Sequence, residues 1–199
     1  VMAVAKHFPG HGNTSQDSHK TLPDVTDNID VIDSVHLVPF AKMIDAGIWG
    51  IMVAHVFVPA LDTTSNIPTT LNPSVVTGLL KNEMGYNGIV ITDALGMQGV
   101  LKHNKPGQIE VKALLAGHDV LLMPQQIKTA IDSIVTAVDS GRIDSVRIDE
   151  SVRKILITKY NENLTHYNVV DEKNITNEIN LPEWYELKRE IFNSNATLV

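Results

Sequence analysis

Four short apolar runs alternate with stretches of helical spacing, and this alternation constrains the fold more than any other feature of the chain. Residues 1–5, Ile48 to Val53, Gly88 to Thr92 and Val120 to Met123 are short and apolar on both faces. Parallel strands covered by helices on either side read this way. Between them, Ile32, Val35, His36, Phe40, Met43 and Ile44 mark a helix over 29–46 that Gly47 should end, with Pro39 predicting a kink or break inside it. Asn72-Pro73-Ser74 predicts the next helix, with Asn72 as its cap and Gly85 as its stop. Helices are also expected over Gln108 to Ala116, over Ile127 to Val138, and along the face Ile148, Val152, Ile155, Leu156. The order is four βα units, which suits either a doubly wound sheet or a (β/α)8 barrel. A barrel needs eight units and typically ~250 residues, so the barrel reading expects half of it to lie outside this sequence.

From Tyr160 the texture changes. Residues 1–159 hold the βα units, and residues 160–180 form a polar connector containing Asn161, Asn163, Asn168, Asn174, Asn177 and Asn180. In residues 181–199 a helix over Pro182 to Phe192 and a strand over Ala196 to Val199 resemble the onset of a second α/β domain.

Composition removes several function classes. With 43% hydrophobic and 20% charged residues the chain is not disordered. Its net charge of −7, from 23 acidic against 16 basic residues without a basic patch, disfavours nucleic acid as a partner. The absence of cysteine excludes disulfides and thiolate chemistry. The longest apolar stretch, around Ile48 to Leu61, is interrupted by His55 and Pro59, so no membrane-spanning segment is expected.

The strands run into polar residues at their carboxyl ends: Lys6-His7 after the first, His55 after the second, Asp93 after the third. Both candidate architectures place active sites at that rim. The loop from Lys6 to His19 is the richest in chemistry. His7 and His11 have the spacing of a helical metal pair, but Pro9, Gly10 and Gly12 oppose a helix, and no metal is expected. No Gly-Lys-Ser/Thr follows the glycines, so a phosphate cradle is also not expected. Asp17 and His19, one residue apart, would point the same way in an extended loop. A carboxylate there fixes the imidazole tautomer and favours its protonated form, which suits proton transfer. The bland alternative is a loop histidine hydrogen-bonded for structure alone.

Lys6-His7-Phe8-Pro9-Gly10-His11-Gly12 followed by Asp17-Ser18-His19 resembles the signature of family 3 glycoside hydrolases, in particular the β-N-acetylglucosaminidase branch acting on peptidoglycan fragments. Ile91-Thr92-Asp93-Ala94-Leu95-Gly96-Met97 resembles that family's nucleophile segment, and Gly117-His118-Asp119-Val120-Leu121-Leu122-Met123-Pro124 its last barrel strand. One departure is Ala94, where many members carry a second aspartate.

The resemblance implies the C-terminal half of a (β/α)8 barrel, followed by a linker and the first elements of an α/β sandwich domain. It implies a retaining glycosidase in which Asp93 is the nucleophile and His19, assisted by Asp17, is acid and then base. Lys6 and His7 would hold sugar hydroxyls, with His11 and His55 as loop-organising or pocket-lining groups and no cofactor. Trp49 and Phe57 fit packing better than sugar stacking. Competing expectations are a β-glucosidase or β-xylosidase, a phosphorolytic relative, and a non-catalytic sugar-binding or scaffolding module. The expected partners are a carbohydrate substrate and either the missing barrel half or a second copy, the isolated chain being nearly inactive. A bacterial cell envelope is favoured over the cytoplasm.

Overall fold

The computed structural model describes residues 2–12, 14–18, 20–63, 67–102, 104–166, 169 and 172–195. The chain divides into two compact units, Val1–Lys159 and Tyr160–Val199.

In the first unit β1 (Val4–Phe8), β2 (Gly50–Val53) and β3 (Ile89–Thr92) form a parallel sheet in the order β1-β2-β3. Between β2 and β3 the register runs without a slip from Gly50↔Ile89 to Val53↔Thr92. The expected fourth strand is reduced to a single parallel bridge, Ile91↔Val120. Thr92 N–H donates to the Val120 carbonyl at 3.1 Å, but the next amide, Leu122 N–H, turns to the Thr92 hydroxyl at 2.9 Å. Met123 then leaves the extended region at φ +46°, so the ladder stops after one rung.

The helix after β1 is continuous. Asn28 caps α1 (Ile29–Val31) through its side-chain oxygen, a π-helical segment spans Ile32–His36, and α2 (Leu37–Asp45) follows. Pro39 does not break it. It lies just beyond a π turn closed by Leu37 N–H to Ile32 O, so the helix changes geometry beside the proline without ending. The stripe Ile32 and Phe40 is buried against β1, with Phe8 and Phe40 edge-to-face at 5.2 Å. A second helix of π geometry, Ser74–Glu83, buries Val75, Val76 and Leu80 against the same core. After β3 come α3 (Gln98–Leu101), α4 (Gln108–Ala116), α5 (Ile127–Asp139) and α6 (Ser145–Asn161).

The start of β3 is tied down by Asp119. Its buried carboxylate accepts from Val90 N–H at 3.0 Å and Ser151 Oγ at 2.6 Å, and pairs with Arg147 at 3.4 Å and Lys154 at 3.5 Å. Burial would push this carboxyl up, but Ser151, Lys81, the Val90 amide and Lys154 together hold it below the usual aspartate range.

The second unit contains a 3-10 turn at Glu172–Asn174, α7 (Ile175–Ile179) and α8 (Pro182–Asn195). A turn and a short helix thus occupy part of the expected 160–180 connector. α8 covers the helix expected to Phe192 and runs on to Asn195, while the strand expected over Ala196 to Val199 lies outside the described residues. Among the described residues no helix is long and apolar enough to cross a membrane.

Candidate active site

The carboxyl ends of β1 and β3 are held side by side through β2. Ala54 N–H donates to the Phe8 carbonyl at 2.8 Å, and Asp93 N–H donates to the Val53 carbonyl at 3.1 Å. This backbone pairing brings Lys6 and His7 beside Asp93. A cavity of about 940 Å³ opens there, lined by Lys6, His7, His11, Asp17, His36 and Asp93 among others. Its size falls within the range of small-ligand clefts.

Asp93 has a side chain 15% exposed, held by its neighbour: Ala94 N–H donates to Oδ1 at 2.8 Å. The other oxygen, Oδ2, lies 3.8 Å from His7 Nε2 and faces the cavity side of the sheet. An ionised carboxylate fixed on one oxygen and accessible on the other can act as a nucleophile. His7 and His11 approach edge-to-face with centroids 6.0 Å apart. Asp17 sits at the head of a turn whose amides, Lys20 N–H and Thr21 N–H, both donate to its carbonyl at 3.0 Å. Lys20 Nζ is 3.9 Å from its carboxylate.

Lys6, His7, His11, Asp17 and Asp93 therefore share one cavity. His19 lies outside the described residues. His55 does not line the cavity and is wholly buried. Its Nε2–H donates to the Ala94 carbonyl at 3.0 Å, and its Nδ1 lies 2.7 Å from the Thr70 hydroxyl. Burial pushes this imidazole below the ordinary histidine range, against the pull of the Ala94 carbonyl and of Asp93, and His7 adds to the fall. Of the two roles expected for His55, the buried ring bonded to the Ala94 carbonyl fits organising the Asp93–Ala94 turn and does not fit lining the pocket.

Several lining groups escaped the sequence reading, among them His36, Phe40 and Val35. His36 lines the cavity, with its Nε2–H donating to Asp27 Oδ2 at 2.9 Å. The only signal was a histidine set in the apolar stripe between Ile32 and Phe40. Gln16, beside Asp17 in the loop from Lys6 to His19, also lines the cavity, and the sequence assigns it no role of its own.

The sequence model of the glycosyl hydrolase family 3 N-terminal domain matches residues 1–158. The chain belongs to glycosyl hydrolase family 3. A beta-hexosaminidase A of Pseudoalteromonas piscicida is 34% identical over 78% of this chain and 29% of its own length. A beta-hexosaminidase of Nitrosomonas eutropha is 32% identical over 78% of this chain and 45% of its own. Among solved structures, a family 3 beta-N-acetylglucosaminidase from Paenibacillus sp. str. FPU-7 superposes with a TM-score of 0.82 at 40% identity, over 86% of this chain and 33% of that one. The chain thus spans less than half the length of these relatives. Family 3 membership and this superposition establish an α/β TIM-like fold, of which the three-stranded parallel sheet and its helices are the described part.

Proposed function

We propose that this chain carries the catalytic rim of a retaining β-N-acetylglucosaminidase acting on terminal β-linked N-acetylglucosamine, of the kind found in peptidoglycan fragments. Residues 1–159 are then the C-terminal half of a (β/α)8 barrel, residues 160–180 its connector and residues 181–199 the onset of a second domain. Asp93 attacks the anomeric carbon, the aglycone leaves with a proton from His19, and water, deprotonated by the same imidazole, releases the sugar. Asp17 orients that imidazole, Lys6 and His7 hold sugar hydroxyls, and His11 completes the wall. The observation that carries the reading is the convergence of Asp93, Asp17, Lys6 and His7 on one cavity. The likeness to the Paenibacillus β-N-acetylglucosaminidase supports the sugar.

The test is turnover of chromogenic N-acetylglucosaminide, glucoside and xyloside by the full-length protein, with and without phosphate. The N-acetylglucosaminide should be the best substrate, hydrolysed without phosphate dependence. The basic limb of kcat/KM against pH should disappear in His19→Ala. A preference for glucoside, or rates that rise with phosphate, would replace this reading by one of the two neighbouring specificities.

A further inference from the structure

The segment from Gly10 to Thr21 that carries Asp17 contains no regular element among its described residues, so something other than a ladder must hold it. Lys6, His7 and Phe8 are different: they belong to β1, where Ala5 and Phe8 pair with Ile51 and Val53 of β2 and Lys6 and His7 occupy the register slip between those two rungs. The loop is instead gripped at two places where the absence of a Cβ lets other atoms approach.

At its root, Gly10 has φ +141°, and a Cβ there would run into the His36 ring, against Nδ1 and 2.9 Å from Cβ and Cγ. That ring cannot swing away easily. Its side chain is only 7% exposed, and Nε2 is bonded to Asp27, which sits next to the Asn28 cap of α1. At its far end, the Ser18 and Thr21 carbonyls lie against Gly99 of α3. A Cβ on Gly99 would come within 2.7 Å of Thr21 O and 3.1 Å of Ser18 O. These are backbone atoms, which yield less readily than a side-chain tip. α3 follows Asp93 directly through the turn closed by Met97 N–H to Ala94 O, at 3.0 Å.

We propose that His36, locked by Asp27, and Gly99 are positioning residues that set the Asp17 loop relative to Asp93. The proposal rests on the reading of that loop as the proton-transfer arm of a retaining glycosidase. Because Lys6 and His7 are bounded on both sides by rungs of the β1–β2 ladder, disturbing either anchor moves the proton-transfer arm and spares the sugar-holding groups. The loss then appears wherever the leaving group needs a proton.

The experiment compares kcat/KM of the full-length protein on two substrates: a 2,4-dinitrophenyl β-N-acetylglucosaminide, whose phenolate leaves unaided, and a β-linked N-acetylglucosamine disaccharide. His36→Ala and Gly99→Val should each lower the disaccharide value about 30-fold or more while changing the dinitrophenyl value less than about 3-fold. His36→Gln, whose amide can still donate to Asp27, should return the disaccharide value to within about 5-fold of wild type. The ratio of the two substrates is independent of how much protein is folded. Should Gly99→Val not fold, Gly99→Ala adds only the carbon that meets Thr21 and carries the same direction of effect. Equal losses on both substrates, or no loss in either variant, would overturn the positioning role. Wild-type protein inactive on both would overturn the glycosidase reading itself, and this proposal with it.

Discussion

β3 is bracketed by two aspartates whose surroundings are opposite. Near its start, Asp119 is buried and accepts from an amide and a hydroxyl while pairing with two cations. Past its end, Asp93 has one oxygen held by the Ala94 amide, the other 3.8 Å from His7 Nε2, and a cavity in front of it. A carboxylate with every lone pair occupied can only hold structure together. One that keeps an oxygen free and partly wet can react. The histidines divide in the same way: His7 and His11 face the cavity, whereas His55 and His118 are fully buried.

The sharpest way to break this contrast is to remove each carboxylate. On the proposed mechanism, Asp93→Ala should lower turnover of a chromogenic N-acetylglucosaminide by about 10⁴-fold or more, because it removes the proposed nucleophile. Azide should partly restore it. Urea denaturation should show stability changed by less than about 1 kcal/mol, since no buried partner is orphaned. A stability loss as large as that at Asp119 would erase the distinction.

The acid limb of stability comes next in size. Burial pushes His118 down to about 3, against the Thr70 carbonyl and the Asp119 charge, with Lys81 and His55 adding to the fall. An unfolded histidine titrates near 6.5, so as pH falls below that value the unfolded chain takes up a proton the folded protein refuses until about 3. Stability present above pH 6.5 is therefore lost across this window, on the order of 4 kcal/mol from this one group. His118→Gln, which can still donate to the Thr70 carbonyl, should flatten the urea midpoint between pH 6.5 and 4. An unchanged slope would assign the acid sensitivity elsewhere. Below about pH 4, loss of the Asp119 charge adds to the fall in both proteins, since its carboxyl is held below the usual range.

Asp119→Ala should destabilise by about 3 kcal/mol, leaving Arg147 and Lys154 without their buried partner but partly open to solvent. Turnover per folded molecule should stay near wild type, the mirror image of Asp93→Ala.

The smallest effect is alkaline. Burial lowers Lys81 to about 8, with Asp119 opposing and Lys154 and Arg147 reinforcing. Its ammonium donates to the Gly117 carbonyl. Between pH 8 and 10 the unfolded chain binds the proton more tightly, so stability should rise by about 1 kcal/mol after allowance for partial solvent screening. The raised Tyr86 hydroxyl, pushed up first by burial and then by Asp119, favours the folded protein below pH 10 and does not interfere in this window. Lys81→Met should abolish the rise, measured as melting temperature against pH.

Much of the first unit was legible because its signals are local. The stop and start residues around Gln108 to Ala116 and the run Ile89 to Thr92 act through neighbours in the chain, so spacing alone locates α4 and β3 to within a residue. Pro39 marked an irregularity but not its form: the helix continues past it and changes to π geometry just upstream, and a π turn leaves no residue signature. Val120 to Met123 misled because strand composition does not say whether Leu122 will bond to a carbonyl or to the Thr92 hydroxyl.

The sequence by itself determined the alternating βα order, the chemistry available at the strand ends and the family. Strand and helix propensity, turn residues and a long motif are all properties of contiguous residues. Only the tertiary structure decided that Lys6, His7, Asp17 and Asp93 share a cavity while His55 does not, and that His36 and Gly99 press on the two ends of one loop. Burial and close approach depend on which segments become neighbours after folding. A histidine placed on an apolar stripe hints at burial but not at its neighbour, and a glycine two residues after Met97 carries no mark of what approaches it until the chain closes around it.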